Sequence, residues 1–226
     1  MRGFMVKALK PKFRVTAREN PCPRHILDIG IENDSYREAK AVYPQGTYHG
    51  LDIVPCKTVP LNNDRFFVCD LEQGINFEAI PDGYDLILIN HVLEHLSNGE
   101  VIFTALCGML RPGGILYAEF PSIRTAMRRK TRFNYHFHDD PTHKRFYPLE
   151  KLANIAIGCG GRVVSCGPVS TPTKSIISAP RAIFGALTGK GYGPYLLHAQ
   201  GKIDHIMVRR SSPSATPSKY IDPDKI

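Results

Sequence analysis

The feature that most constrains this chain is a repeated alternation of short apolar runs and helical stretches. HILDIG (25–30) is a short apolar run ending at Gly30, and SYREAKAVY after it has a helical pattern. YHGLDIV (48–54) and RFFVCD (65–70) read as the second and third strands. YDLILIN (84–90) is the most hydrophobic run, as expected of a buried central strand. A helical stretch from HVLEHL through VIFTALCGML follows, then a turn at RPGG and the strand ILYAEF (115–120). PLEKLANIAIGCGG (148–161) has Pro at its start and glycines at its end, the usual punctuation of a helix. RVVSCGPV and HIMVRR (205–210) complete a set of seven strands. Strands alternating with helices in this way predict an α/β domain with a mostly parallel sheet and helices on both faces.

Composition narrows the setting. A chain of 226 residues suffices for one α/β domain with a full core, and 42% hydrophobic with 22% charged residues is ordinary for a globular protein. No apolar run approaches the ~20 residues that span a bilayer. The basic start MRGFMVKALKPKF lacks the apolar centre of a secretory signal. The six cysteines are scattered without a C-x-x-C pair, which points to thiols in a reducing compartment, and the cytoplasm is the expected location. The net charge of +8 is unevenly spread. Residues 1–24 carry seven Lys/Arg against one Glu, and RTAMRRKTR (124–132) adds five more without an acid. Such stretches can attract nucleic acid, but the chain lacks an aromatic-rich motif for stacking bases, so a solubilising arm and a solvated helix are expected.

Acids recur where the first three strands end: Asp28 beside Gly30, then Asp52, then Asp70, with Asn90 and His91 closing the fourth. Open α/β sheets bind ligands at the carboxyl ends of their strands, so the recurrence marks a candidate site. The fingerprint G-x-G-x-x-G is absent, which argues against a dinucleotide.

In ILDIG, YHGLDI, FFVCDLEQGI, YDLILINHVLEHL and LCGMLRPGGILYAEFP, taken in order, the sequence resembles the class I S-adenosylmethionine-dependent methyltransferases. The likeness covers roughly residues 22–168 and the final strand, and implies a Rossmann-like seven-stranded sheet. HDDPTHKRFYPLEKL also looks like bacterial members found in surface-polysaccharide and glycolipid pathways. The resemblance implies S-adenosyl-L-methionine as cofactor, bound by Asp28, Gly30, Asp52, Asp70, Leu71 and Asn90. Gly30 would admit the methionine end, Asp52 would accept from the ribose hydroxyls, and Asp70 would receive the adenine amino group with Leu71 against the ring. Asn90 and His91 would line the floor near the reactive methyl. The first loop departs from the family's usual two or three glycines: Ile31, Glu32, Asn33 and Asp34 follow Gly30. Asn33 and Asp34 tolerate left-handed backbone angles and can carry the turn. Otherwise the loop has lost cofactor affinity and the fold serves as a scaffold. The domain plan is a basic arm (1–21), a methyltransferase-like domain (22–210) with an insert (175–204), and a disordered Ser/Pro-rich tail (211–226).

NHVLEHL places His91, Glu94 and His95 at i, i+3 and i+4, on one face if the segment is helical. NYHFHDDPTHKRFY adds further histidines, among them His143. Carboxylate and imidazole suit a divalent metal, and the layout resembles a metal-dependent branch of the family. That branch carries an acid at the position of His91, so the expectation here is no metal. His91 and His143 are instead the candidate general bases toward an acceptor hydroxyl. The leading expectation is O-methylation of a small or glycan-like acceptor. A catalytically silent scaffold and an RNA-binding methyltransferase are the alternatives.

Overall fold

The structure, a computed structural model, describes residues 11–31, 35–58, 60, 62–74, 79–127, 136–169 and 203–212. Helix α1 (Pro11–Glu19) precedes β1 (His25–Ile29), α2 (Ser35–Val42), β2 (Thr47–Asp52), β3 (Arg65–Val68) and β4 (Tyr84–Asn90). Then follow α3 (Gly99–Met109), β5 (Leu110–Pro121), α4 (Arg124–Met127), α5 (Leu149–Gly158), β6 (Gly161–Pro168) and β7 (Ile203–Arg210). The seven strands form one sheet in the order β3-β2-β1-β4-β5-β7-β6, parallel except that β7 runs antiparallel to both its neighbours. This is the expected α/β, Rossmann-like architecture.

The alternation of side chains along the central strands builds two cores. Leu27 and Ile29 of β1 and Ile87 and Ile89 of β4 pack with Ile102, Phe103 and Leu106 of α3 and with Leu152 and Ala156 of α5. Ile26, Leu86 and Leu88 point the other way, onto Phe13 of α1 and Tyr36 and Ala39 of α2. A strand buried on both faces needs apolar residues at every position, which is what YDLILIN supplies. Strand order reverses at β1, which pairs β2 on one side and β4 on the other, so a crevice opens beyond their carboxyl ends.

Three local expectations are corrected. Part of the basic arm is a packed helix: Phe13 and Thr16 are fully buried, and the Thr16 hydroxyl meets the Tyr43 hydroxyl at 2.9 Å. The helix expected from HVLEHL onward is broken. His91 takes a left-handed φ of 55°, Leu93–His95 form a single 3-10 turn, and α3 starts at Gly99. Tyr147 wedges the break by donating its hydroxyl to Leu96 O at 2.5 Å and accepting from Gly99 N at 3.0 Å. A Cβ at position 99 would strike that hydroxyl, so glycine is required there. Finally, RPGG lies within β5: Tyr84 pairs Leu110 and Leu86 pairs Ile115, so a bulge absorbs the turn residues.

The loop residues 32–34, residues 128–132 of the second basic stretch, insert residues 175–202 and tail residues 213–226 lie outside the described residues. Among the described residues, no helix is long and apolar enough to cross a membrane.

Candidate functional site

The crevice at the switch point is a cavity of about 330 Å³ bordered by Gly30, Asp52, Asp70, Leu71, His91 and Lys144, among others. Gly30 sits at φ 73° and hydrogen-bonds Leu51 O through its N–H at 2.9 Å. A side chain there would run into Cγ2 of Val92, so the close approach of the two loops requires glycine. Asp52 ends β2 one residue beyond the last β1 partner, and its Oδ1 accepts from Val54 N at 3.1 Å. Asp70 caps the 3-10 turn Leu71–Gln73, accepting from Glu72 N at 3.0 Å, and the turn buries Leu71.

Two expected contacts lie elsewhere. Asp28 does not border the cavity. It is fully buried within β1, where its carboxylate accepts from Lys12 Nζ at 3.1 Å, Ser35 Oγ at 2.7 Å and the Tyr48 hydroxyl at 2.9 Å. The reason is strand alternation: Leu27 and Ile29 face α3 and α5, so Asp28 faces α1 and α2. Asn90 borders neither this cavity nor the next among their described lining residues, and both its amide atoms are buried without a hydrogen-bond partner.

A second cavity of about 240 Å³ adjoins the first, lined by His91, Glu94, His95, Asp140 and His143 together with Pro121 and Ile203. His91 and His95 border both cavities. His91 donates its backbone N–H to Glu119 O at 2.9 Å, and its Nδ1 lies 3.2 Å from Glu94 Oε1. His143 reaches the same cavity because its following residues are clamped to the Glu94 turn: Lys144 N and Arg145 N donate to Glu94 O at 2.8 and 3.3 Å. Its Nδ1 lies 2.8 Å from Phe137 O, and its ring meets that of His95 edge-on at 4.8 Å. Asp140 binds the Thr142 hydroxyl and N–H, which hold its carboxyl below the ordinary carboxylate range.

Glu72 and Lys144 border the first cavity and were not singled out from the sequence. Their ion pair at 2.7 Å, with Ser97 donating to the same carboxylate, pulls the Glu72 carboxyl down to about 2. Seventy-two positions separate the partners, so no local pattern announces the pair.

The fold has counterparts among known proteins. A family model described as a methyltransferase domain matches residues 1–165. Methyltransferase str2 of Strobilurus tenacellus is 30% identical over 96 residues, 42% of this chain and 34% of that protein. The match thus spans about a third of that relative's length. Two solved structures share the fold. A SAM dependent methyltransferase from Archaeoglobus fulgidus superposes with a TM-score of 0.59 at 18% identity, covering 92% of this chain and 94% of that one. An S-adenosylmethionine dependent methyltransferase from Mesorhizobium loti gives 0.60 at 15% identity, covering 88% and 96%. With the family model spanning most of the chain and the crevice lying at the switch point of the same fold, the chain belongs to the methyltransferase domain family.

Proposed function

We propose that the protein is an S-adenosylmethionine-dependent methyltransferase that acts on an oxygen of a small or glycan-like acceptor. The carrying observation is a pair of adjoining cavities with His91 on the wall of both: one bordered by Gly30, Asp52, Asp70 and Leu71, the other by histidines. The first cavity fits the cofactor. Gly30 keeps one wall free of a side chain, Asp52 offers a carboxylate to ribose hydroxyls, and Asp70 with Leu71 offers an acceptor and an apolar surface to adenine. The buried, unpartnered amide of Asn90 is the group we assign to a polar ligand atom at the end of β4.

When bound, S-adenosylmethionine supplies a methyl on a sulfonium, the C–S pair leaving with sulfur as the acceptor oxygen takes the carbon. The chain's part is to bind, orient and hold a proton. His91, whose Nδ1 lies 3.2 Å from Glu94 Oε1, is the residue that takes the proton of the acceptor hydroxyl as general base. The buried Glu94 carboxylate steadies the resulting positive ring. His143, which also lines the second cavity, orients the acceptor. The glycan-like acceptor is supported by the resemblance of HDDPTHKRFYPLEKL. Six unpaired thiols support a reducing, cytoplasmic setting.

The test is turnover of S-adenosylmethionine against a panel of mono- and oligosaccharides. His91→Ala and His143→Ala should lower turnover, His91→Ala by roughly 10²–10⁴ as for loss of a general base, with cofactor affinity nearly unchanged. Unchanged turnover in both variants, or methylation confined to amine acceptors, would remove this chemistry.

A further inference from the structure

Away from the two cavities, the carboxyl ends of α3 and α5 bring two thiols together. Cys107 lies in the last turn of α3, 3% exposed, in the same core as Ala153 and Ala156 of α5. Cys159 is the C-cap of α5 and packs, half-buried, against that core. Backbone contacts hold the two neighbourhoods together. Arg210, the last residue of β7, pairs with Gly161 and donates through Nη1 to Gly108 O at 2.6 Å and to Leu110 O. The next residue, Ser211, donates its N–H to Gly160 O at 3.1 Å. Gly108 adjoins Cys107 and Gly160 adjoins Cys159, so the end of β7 grips the chain beside both cysteines. The Cys107 thiol hydrogen-bonds the Cys159 sulfur.

The two thiols are chemically unequal. The hydrogen bond from Cys107, helped by the Arg210 guanidinium, draws the Cys159 thiol down to about 7. Cys107 is pushed up, first by giving that hydrogen bond to Cys159 and then by burial. Partial exposure beside a cation is the setting of a reactive thiol, and an attacking thiol works best when it titrates near ambient pH. The approach to Cys159 is uncrowded: a Cβ at Gly158 or Gly160, on either side of it, would meet nothing within 4 Å.

We propose that Cys107 and Cys159 form an oxidisable dithiol, a modification site that takes a low-molecular-weight disulfide. The Cys159 thiolate attacks one sulfur of the reagent, whose S–S bond breaks, and the other half leaves as a thiolate. Cys159 is then held in a mixed disulfide and carries no charge, so Cys107 no longer has an anion to hold its proton in place. The Cys107 sulfur attacks the Cys159 sulfur, and the second thiolate leaves with the Cys107 proton. Two protein thiols are oxidised to one disulfide, and the reagent is reduced to two thiols. The new bond ties α3 to α5 at their carboxyl ends, while Tyr147 already joins Leu96 and Gly99 at the start of α3. In a reducing compartment such a bond is transient and reversed by excess thiol. This chemistry does not depend on the methyltransferase assignment.

The experiment uses the full chain, reduced, desalted and incubated with oxidised glutathione at neutral pH, followed by peptide mass mapping of the six cysteines. The parent should yield a Cys107–Cys159 cross-linked peptide pair, two hydrogens lighter than the reduced peptides, with no glutathione retained on either. Dithiothreitol should restore both thiols. Cys107→Ala should stop at glutathione on Cys159. Cys159→Ser should modify Cys107 roughly tenfold or more slowly than the parent modifies Cys159, because the thiol left behind is buried. The parent result stands without the variants, so a variant that fails to fold leaves the site testable. Glutathione retained on Cys159 of the parent would overturn the site. A Cys159 that stays reduced would overturn it too, with exposed Cys22 as the internal check of the reagent.

Discussion

Asp28 and Asp52 sit near the carboxyl ends of adjacent parallel strands, yet they occupy opposite kinds of surroundings. Asp28 lies inside β1 with its side chain in the packed layer under α1 and α2, tied to Lys12, Ser35 and Tyr48. Asp52 lies one residue past the last β1–β2 pair and borders the larger cavity. Two acids that look alike in sequence therefore divide the work. The one inside β1 joins Lys12 of α1 to Ser35, the first residue of α2, and the one beyond the last β1–β2 pair borders the cavity proposed for the cofactor. Strand parity and pairing length, rather than residue type, decide which acid is available.

The largest expected effect falls on the packed side. Lys12→Met leaves a buried carboxylate without its cation and should cost about 3–5 kcal/mol of unfolding free energy in a denaturant titration. Pairing it with Asp28→Asn should recover part of the loss, because the partners are coupled. A loss below about 1 kcal/mol would place Asp28 among the ordinary polar residues and blur the contrast with Asp52. Gly30→Ala comes next, since it forces a side chain into a left-handed position against Val92. It should destabilise by roughly 1–3 kcal/mol and weaken cofactor binding together, as the loop that must shift borders the cavity. Intact stability with intact affinity would show that the loop has slack.

The smallest effect concerns pH. The Glu72 carboxyl is pulled down to about 2 by Lys144 and Ser97, so its folded-state value lies below the unfolded one. Its contribution is present above the unfolded value and is lost as pH falls through about 2. As a partly exposed pair it is worth at most ~1 kcal/mol, and Glu72→Gln should flatten that acid limb only slightly. A Glu72→Gln profile that overlays the parent would remove the pair from the account.

Much of this was legible because it is local. The run YDLILIN is strand β4 from Tyr84 to Asn90, since continuous apolar residues signal a strand covered on both faces. Gly30, Asp52 and Asp70 stand out by their place at strand ends and Leu71 by the family resemblance, and all four border the cavity. The remainder depends on distant partners. Lys12 reads as one more charge in a basic arm until Asp28, sixteen positions on, is folded against it. The spacing of His91, Glu94 and His95 fits a helical face, but Tyr147 from far along the chain breaks that helix, and a 3-10 turn still brings His91 to Glu94. The arrival of His143 beside His95 depends on backbone bonds to Glu94 that no spacing encodes.

The central claim is that the cavity at the switch point holds the methyl donor through Asp52. Calorimetric titration of the full chain with S-adenosylhomocysteine tests it most directly. We expect micromolar affinity, roughly −8 kcal/mol, for the parent chain. Asp52→Ala should weaken it about tenfold or more, as for lost hydrogen bonds to a charged group worth ~1.5–3 kcal/mol. No detectable heat at millimolar ligand, or an affinity untouched by Asp52→Ala, would contradict the account and favour a scaffold that retains the fold without the cofactor.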